Sequence, residues 1–284
     1  MRRLSFLLAA LLFLAVAIVP RANAEIVQIA TWNMEWFPGG KPSSTEMERA
    51  LHMSAAKDGL LEIKPDILCA QEVRDWAAVE EVTSVLPNFQ PLIVSRFRQM
   101  GKSGSITIQQ TAIAANRPAE SAWSESFASA PVSPPRGFSF AAIPFGETVL
   151  LLYSVHFKSN RGGISVGFPK REEAARQVVA HAAEMEKLYS ARKVVTVIAG
   201  DFNTDPTDSR FAGERTFSLL NQKYQWAWKG LVLEDRITVP AHGKYPDACF
   251  DGFFVRGGRI MWCKPFPVAR VSDHVPTILA LEIK

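Results

Sequence analysis

Two histidines, two asparagines and several carboxylates stand in short polar clusters, each at the end of an apolar run. In chain order the clusters are Thr31-Trp32-Asn33, Gln71-Glu72-Val73-Arg74-Asp75, Val155-His156-Phe157-Lys158-Ser159, Gly200-Asp201-Phe202-Asn203, Phe250-Asp251-Gly252 and Ser272-Asp273-His274-Val275-Pro276. Carboxylate and amide oxygens suit a hard divalent cation, and imidazoles suit proton transfer near neutral pH. Together they could hydrolyse a phosphoester. That reaction needs phosphoryl charge neutralised, a water aimed in line and the leaving oxygen protonated or stabilised.

Each cluster also has a plainer reading. Glu72 or Asp75 could cap a helix that follows the strand. Asp201 could close an Asx-turn, since Asn203-Thr204-Asp205-Pro206 is rich in turn residues. A histidine at a strand end, such as His156, is often only a satisfied structural residue. A run of such clusters in one order argues for chemistry at Glu72 and Asp201, and leaves the capping reading standing for Asp75.

At these residues the chain resembles the endonuclease/exonuclease/phosphatase family, the deoxyribonuclease I-like group. The family pattern has an Asn after the first strand, Q-E after the second, a central His or Tyr, G-D-x-N, a late Asp and a terminal S-D-H. Those slots hold Asn33, Glu72, His156, Asp201 with Asn203, Asp251, and Asp273 with His274. The resemblance implies a four-layer α-β-β-α sandwich of two mixed sheets packed face to face with helices outside. It implies Glu72 as a ligand for Mg²⁺ (or Mn²⁺ or Ca²⁺), Asp273 on the metal or its waters, and Asn33 supporting the metal carboxylate. Asp201 would orient or deprotonate the water, and Asn203 would donate to the phosphoryl group. His274, oriented by Asp251, would do acid–base work, with His156 as second imidazole. Arg74 matches a position that reaches toward a nucleic-acid backbone. Lys158 would share the face of His156 if that strand continues, adding positive charge. Arg96, Arg98 and Lys102 could touch phosphates or form a solvated loop. No counterpart is found for a carboxylate that orients the central His.

Residues 1–24 read as a signal peptide. Arg2 and Arg3 precede an uncharged apolar run from Leu4 to Val19, and Ala22-Asn23-Ala24 is a cleavage site. The expected mature chain, 25–284, is one domain in the periplasm or outside the cell. Without the leader, 29 basic face 28 acidic residues, a net of +1, so any nucleic-acid footprint must be local. Of the three cysteines, Cys69 reads as a buried hydrophobe. Cys249 and Cys263 flank an apparent hairpin, and one of its two registers would pair them as a disulfide.

The elements that must carry these clusters follow from hydrophobic pattern. Strands are expected at Ile26–Asn33, Asp66–Glu72, Ile106–Asn116, Phe138–Phe145, Thr148–His156, Val194–Ala199 and Thr277–Ile283. Helices are expected from Ser44 to Leu61, Trp76 to Leu86 and Pro169 to Ala191, the last with its proline in the first turn. His52 and His181 read as helix-surface residues. The sequence therefore predicts an exported, metal-dependent phosphodiesterase, foremost a DNA endonuclease. A sphingomyelinase-type lipid phosphodiesterase, a phosphomonoesterase and a non-catalytic toxin or binding subunit are the rivals. Trp36-Phe37 near the site is compatible with lipid.

Overall fold

The computed structural model describes residues 24–98, 109–129, 132–269 and 271–284. Nearly all of the expected signal peptide, together with Lys102, lies outside these residues. In chain order the elements are β1 (Glu25–Phe37), α1 (Glu46–Ile63), β2 (Ile67–Val73), α2 (Trp76–Thr83), β3 (Gln90–Val94), β4 (Gln110–Ala115), β5 (Ser121–Ser126), β6 (Gly137–Phe145), β7 (Thr148–His156), α3 (Ile164–Leu188), β8 (Lys193–Asp201), α4 (Thr216–Asn221), β9 (Gln225–Trp226), β10 (Asp251–Arg256), β11 (Arg259–Pro265) and β12 (Thr277–Ile283).

The strands form two six-stranded sheets, ordered β11-β12-β1-β2-β4-β3 and β5-β6-β7-β8-β10-β9. Each has one parallel pair near its centre, β1 with β2 and β7 with β8, and antiparallel neighbours around it. Strands buried on both faces need apolar side chains on both, which is why β7 and β8 are continuous apolar runs. On β7, Leu150 and Leu152 join the core between the sheets, with Ile29, Ile67 and Leu279 from the first sheet. Val149, Leu151 and Tyr153 face outward and are covered by Ala175, Val178 and Ala182 of α3. On the other outer face, Met53, Ala56 and Leu60 of α1 and Val79 and Val82 of α2 cover Ala30, Trp32, Leu68 and Ala70. This is the expected four-layer sandwich.

Several expectations change. β10 and β11 are not a hairpin: β10 pairs with β8 in one sheet and β11 with β12 in the other. Gly257-Gly258 carries the chain between the sheets, so hairpin register pairs nothing there. Cys249 and Cys263 are both free thiols. Cys69 is buried as expected, and burial pushes its thiol up. α3 begins five residues before Pro169, which therefore sits inside the helix rather than in its first turn. The two helix histidines are not surface residues. His52 is buried and accepts from the Gly39 N–H at 2.8 Å. His181 bonds the Tyr153 hydroxyl at 2.9 Å within an aromatic cluster.

Candidate active site

Register assembles the site. Asp201 ends β8, where it pairs with His156 of β7 on one side and with Asp251 of β10 on the other. Three chemistry-bearing residues thus lie in one row across the sheet, all at most 2 % exposed. Gly200 makes the row possible by close approach rather than by a turn. It lies inside β8 at φ +148°, and a Cβ there would stand 2.0 Å from the Val155 carbonyl oxygen.

The other sheet delivers its residues through bulges. Pairing of β1 with β2 shifts between Asn33 and Phe37, and pairing of β2 with β4 shifts at Glu72. Glu35, Trp36 and Glu72 all have left-handed backbones, with φ of 46°, 50° and 58°. Such a backbone costs a non-glycine residue about 1–3 kcal/mol, and bulges of this kind re-aim side chains beside active sites. Here the bulges bring Glu72 to the same edge as Asp201. Asn33 Nδ2 donates to Asp201 Oδ2 at 3.0 Å and reaches Glu72 Oε1 at 3.5 Å, while the Trp36 N–H donates to Glu72 Oε2 at 3.1 Å.

The two imidazoles flank Asp201. His156 Nε2 lies 3.5 Å from Asp201 Oδ2 and 3.7 Å from Glu72 Oε1, and His274 Nε2 lies 4.0 Å from the same Asp201 oxygen. His274 Nδ1 is paired with Asp251 Oδ2 at 2.7 Å. Burial disfavours its imidazolium, yet Asp251, its hydrogen bond, Asp201 and Asp273 outweigh burial and hold the pKa well above the ordinary value. His156 goes the other way: burial, then Arg136, His274 and Lys158, push it well below. Among the described residues His156 Nδ1 has no partner. Asp201 itself is pushed up to about 7, by burial and then by Asp251. Asn203, at φ 54°, folds back so that its N–H meets Asp201 Oδ1 and its Nδ2 meets Oδ2, both at 2.8 Å.

Three further residues escaped the sequence reading. Glu35 accepts from the Asp273 N–H at 3.0 Å, and its carboxyl is pushed up by burial, by Asp273 and by Glu72. Arg136 lines the cleft and donates to the His156 and Phe157 carbonyls at 3.0 and 2.7 Å. Thr238, fully buried, accepts at its hydroxyl from the Phe250 and Asp251 N–H groups, and its carbonyl accepts from the Val275 N–H. It ties the strand that carries Asp251 to the loop that carries His274. None of the three sits in a recognisable motif; only folding shows them.

Asn33, Glu72, His156, Asp201, Asn203, Asp273 and His274 all line one cleft of about 290 Å³, while Asp251 stands behind His274. Arg74 and Lys158 do not line it. Arg74 is exposed and paired with Asp75 at 2.8 Å, and Asp75 caps α2. Lys158 Nζ turns back onto the Ser159 and Arg161 carbonyls.

Among the described residues one group of donors has the spacing of metal ligands. Ligand atoms of Asp201, Asp251 and His274 lie within 4.8 Å of one another. Those atoms are largely spent, on Asn33, Asn203 and each other. Glu72 and Asp273 line the cleft, the Glu72 oxygens meeting Asn33 Nδ2 and the Trp36 N–H, and Glu35 accepts from the Asp273 N–H; burial first, then Asp273 and Glu72, pushes the Glu35 carboxyl up. An all-oxygen set of this kind fits a hard divalent ion.

A model of the Endonuclease/Exonuclease/phosphatase family matches residues 30–274. No curated protein matches the sequence. Among solved structures, truncated Caenorhabditis elegans TDP2 is similar with a TM-score of 0.63 at 18 % identity, over 91 % of this chain and 98 % of that one. An endonuclease/exonuclease/phosphatase from Bacteroides vulgatus gives 0.69 at 15 %, over 92 % and 100 %. A functionally unknown conserved protein from Enterococcus faecalis V583 gives 0.62 at 16 %, over 90 % and 99 %. At such identities the likeness shows the fold.

Proposed function

This chain belongs to the endonuclease/exonuclease/phosphatase family, and from that premise we propose that it is an exported, Mg²⁺-dependent phosphodiesterase that cuts DNA. Members of the family are mostly phosphodiester hydrolases and are generally dependent on a divalent metal. The observation that carries the reading is geometric: His156 Nε2 and His274 Nε2 flank one Asp201 oxygen at 3.5 and 4.0 Å, His274 Nδ1 is paired with Asp251 at 2.7 Å, and Asn33 holds the same aspartate at 3.0 Å.

Glu72, with Asp273 and Glu35, would hold the Mg²⁺, which when bound neutralises charge on the phosphoryl oxygens. Asp201 takes a proton from the attacking water; burial and then Asp251 push its carboxyl up, which makes it a stronger base than an exposed aspartate. The Asn33 and Asn203 amides hold its carboxylate in place. His274 spends Nδ1–H on Asp251 and offers Nε2–H to a phosphoryl or leaving oxygen. His156, kept neutral, donates a hydrogen bond from Nε2 rather than a proton. Arg136 supplies fixed positive charge beside both. Among the described residues no helix is long and apolar enough to cross a membrane.

The test is the purified protein against supercoiled DNA, sphingomyelin vesicles and a phosphomonoester in parallel, each with Mg²⁺ or chelator. Nicking of DNA that chelator abolishes is the expected result. Trp36 on the cleft wall favours the lipid reading, which rapid sphingomyelin hydrolysis with intact DNA would establish instead.

A further inference from the structure

Asn203 holds a left-handed backbone, at φ 54°, and such a conformation persists in a non-glycine residue only where neighbours over-determine it. Its N–H and its side-chain amide cap the two Asp201 oxygens. Those bonds hold Asp201; Asn203 itself is held from outside the cleft. Asn160 Nδ2 donates to the Asn203 carbonyl at 3.1 Å, and Asn160 Oδ1 accepts from Arg171 Nη1 at 3.0 Å. A guanidinium carries donors only, so this contact fixes which way the Asn160 amide points: oxygen to Arg171, N–H to Asn203. Arg171 is fully buried and forked onto Glu214, Nε to Oε1 and Nη2 to Oε2, both at 2.7 Å. Glu214 Oε2 in turn accepts from the Thr204 hydroxyl at 3.0 Å. Asn160, Asn203, Thr204, Glu214 and Arg171 therefore close a ring, and the Asn203–Thr204 unit is gripped on both sides.

The helix makes room for this ring. Gly167 lies one turn before Arg171 on α3, and a Cβ there would stand 2.4 Å from Arg171 Nη1. Glycine weakens a helix interior relative to alanine, and here its missing side chain is the space that the guanidinium needs. Arg171 Nη1 also donates to the Lys158 carbonyl at 2.8 Å, so the turn that carries Asn160 is tied to α3 at two points. A buried ion pair adds little net stability, because desolvation offsets its attraction. Its two-pronged fork does set one geometry for the groups around it.

Resting on the phosphodiesterase reading, we propose that Asn160 is a positioning residue: aimed by the buried Arg171–Glu214 pair, it fixes the Asn203 peptide, and through Asn203 the Asp201 carboxylate that takes the water's proton. Asn160 does not line the cleft, so it acts on the orientation of Asp201 and not on the binding of substrate.

The experiment is a double-mutant cycle on bis(p-nitrophenyl) phosphate with Mg²⁺: wild type, Asn160→Ala, Asn203→Ala and the two together. Asn160→Ala leaves the Arg171–Glu214 pair whole, and its melting temperature should stay near wild type. The expected result is a kcat lower by about tenfold or more with KM within about twofold, since a small misplacement of a catalytic group costs rate. In the Asn203→Ala background the same substitution should cost less than about twofold, because the residue it acts through is gone. An unchanged kcat would overturn the proposal. So would a full loss on top of Asn203→Ala, or a loss confined to KM, which would make Asn160 a substrate contact. The second arm needs no turnover. Hydrogen exchange at the Asn203 N–H, followed by NMR, should quicken by on the order of tenfold in Asn160→Ala, while Val197 within β8 stays as protected as in wild type. Equal protection of Asn203 in the two proteins would overturn the clamp. A wild type that cleaves no phosphodiester refutes the catalytic reading, while the exchange arm still decides the clamp.

Discussion

The two imidazoles of the cleft stand within 4.0 Å of one aspartate oxygen, yet their surroundings differ in nearly every respect. His274 sits on a loop and is gripped from behind by Asp251, with Asp201 and Asp273 also near; its proton is held. His156 ends a central strand, is buried, faces Arg136 and Lys158, and has an Nδ1 without a partner among the described residues; its proton is expelled. At His274 the carboxylates outweigh burial, whereas at His156 burial comes first and Arg136, His274 and Lys158 add to it.

The hardest blow to that contrast is His274→Ala. It removes the held proton, and turnover should fall by about 10²–10⁴ while the melting temperature stays near wild type. Activity near wild type in the folded variant would end the acid role. Asp251→Asn attacks the cause instead of the group. A raised imidazole pKa keeps its proton below that pKa and loses it as pH rises through it. Removing the Asp251 charge should therefore bring the loss of kcat to lower pH, with a penalty larger at pH 8 than at pH 6. A loss of about 10–100-fold is expected at neutral pH, in the range seen when an orienting partner is lost. An unshifted pH–rate profile would show that Asp251 does not hold the proton.

Glu72→Gln probes the metal side. An amide keeps the shape and drops the charge, so the Mg²⁺ concentration for half-maximal rate should rise about 10-fold or more, and an unchanged titration would exclude Glu72 as a ligand. Thr238→Val leaves the Phe250 and Asp251 N–H groups buried without an acceptor, at about 1–3 kcal/mol. It should also loosen the Asp251–His274 pair, moving the basic limb of the pH profile in the same direction as Asp251→Asn. Thr238→Ser should restore both stability and profile; a profile left in place by Thr238→Val would reduce Thr238 to a fold contact. The smallest effect belongs to Arg74→Ala. Its exposed pair with Asp75 is worth about 0–1 kcal/mol, and it stands outside the cleft. A loss above about fivefold on DNA, with none on a small diester, would restore the backbone contact that its motif position suggests.

Legibility followed burial. Strands Thr148–His156 and Thr277–Ile283 match expectation to the residue, because burial on both faces writes an unbroken apolar run. β5, a partly exposed edge strand of Ser, Glu and one Trp, and the two-residue β9 carry no such signal. The Phe250–Trp262 segment misled for a related reason. Two apolar strands around Gly-Gly read as a hairpin, and nothing local says that the second crosses to the other sheet. Glu35 was passed over because β1 was expected to end at Asn33, whereas it runs on through a bulge to Phe37.

What the residues determine alone is the inventory: which side chains can take protons or bind a hard cation, and that each sits where an apolar strand stops. That information is local, because strand ends and side-chain chemistry are written in consecutive residues. The pairing of Asn33 with Asp201 across 168 positions, the row His156–Asp201–Asp251, and the entry of Glu35, Arg136 and Thr238 were decided only by the tertiary structure. So was the split between a protonated and a neutral histidine. A pKa depends on distances to charges and on exclusion of water, and both come from register and sheet packing rather than from the identity of any one residue.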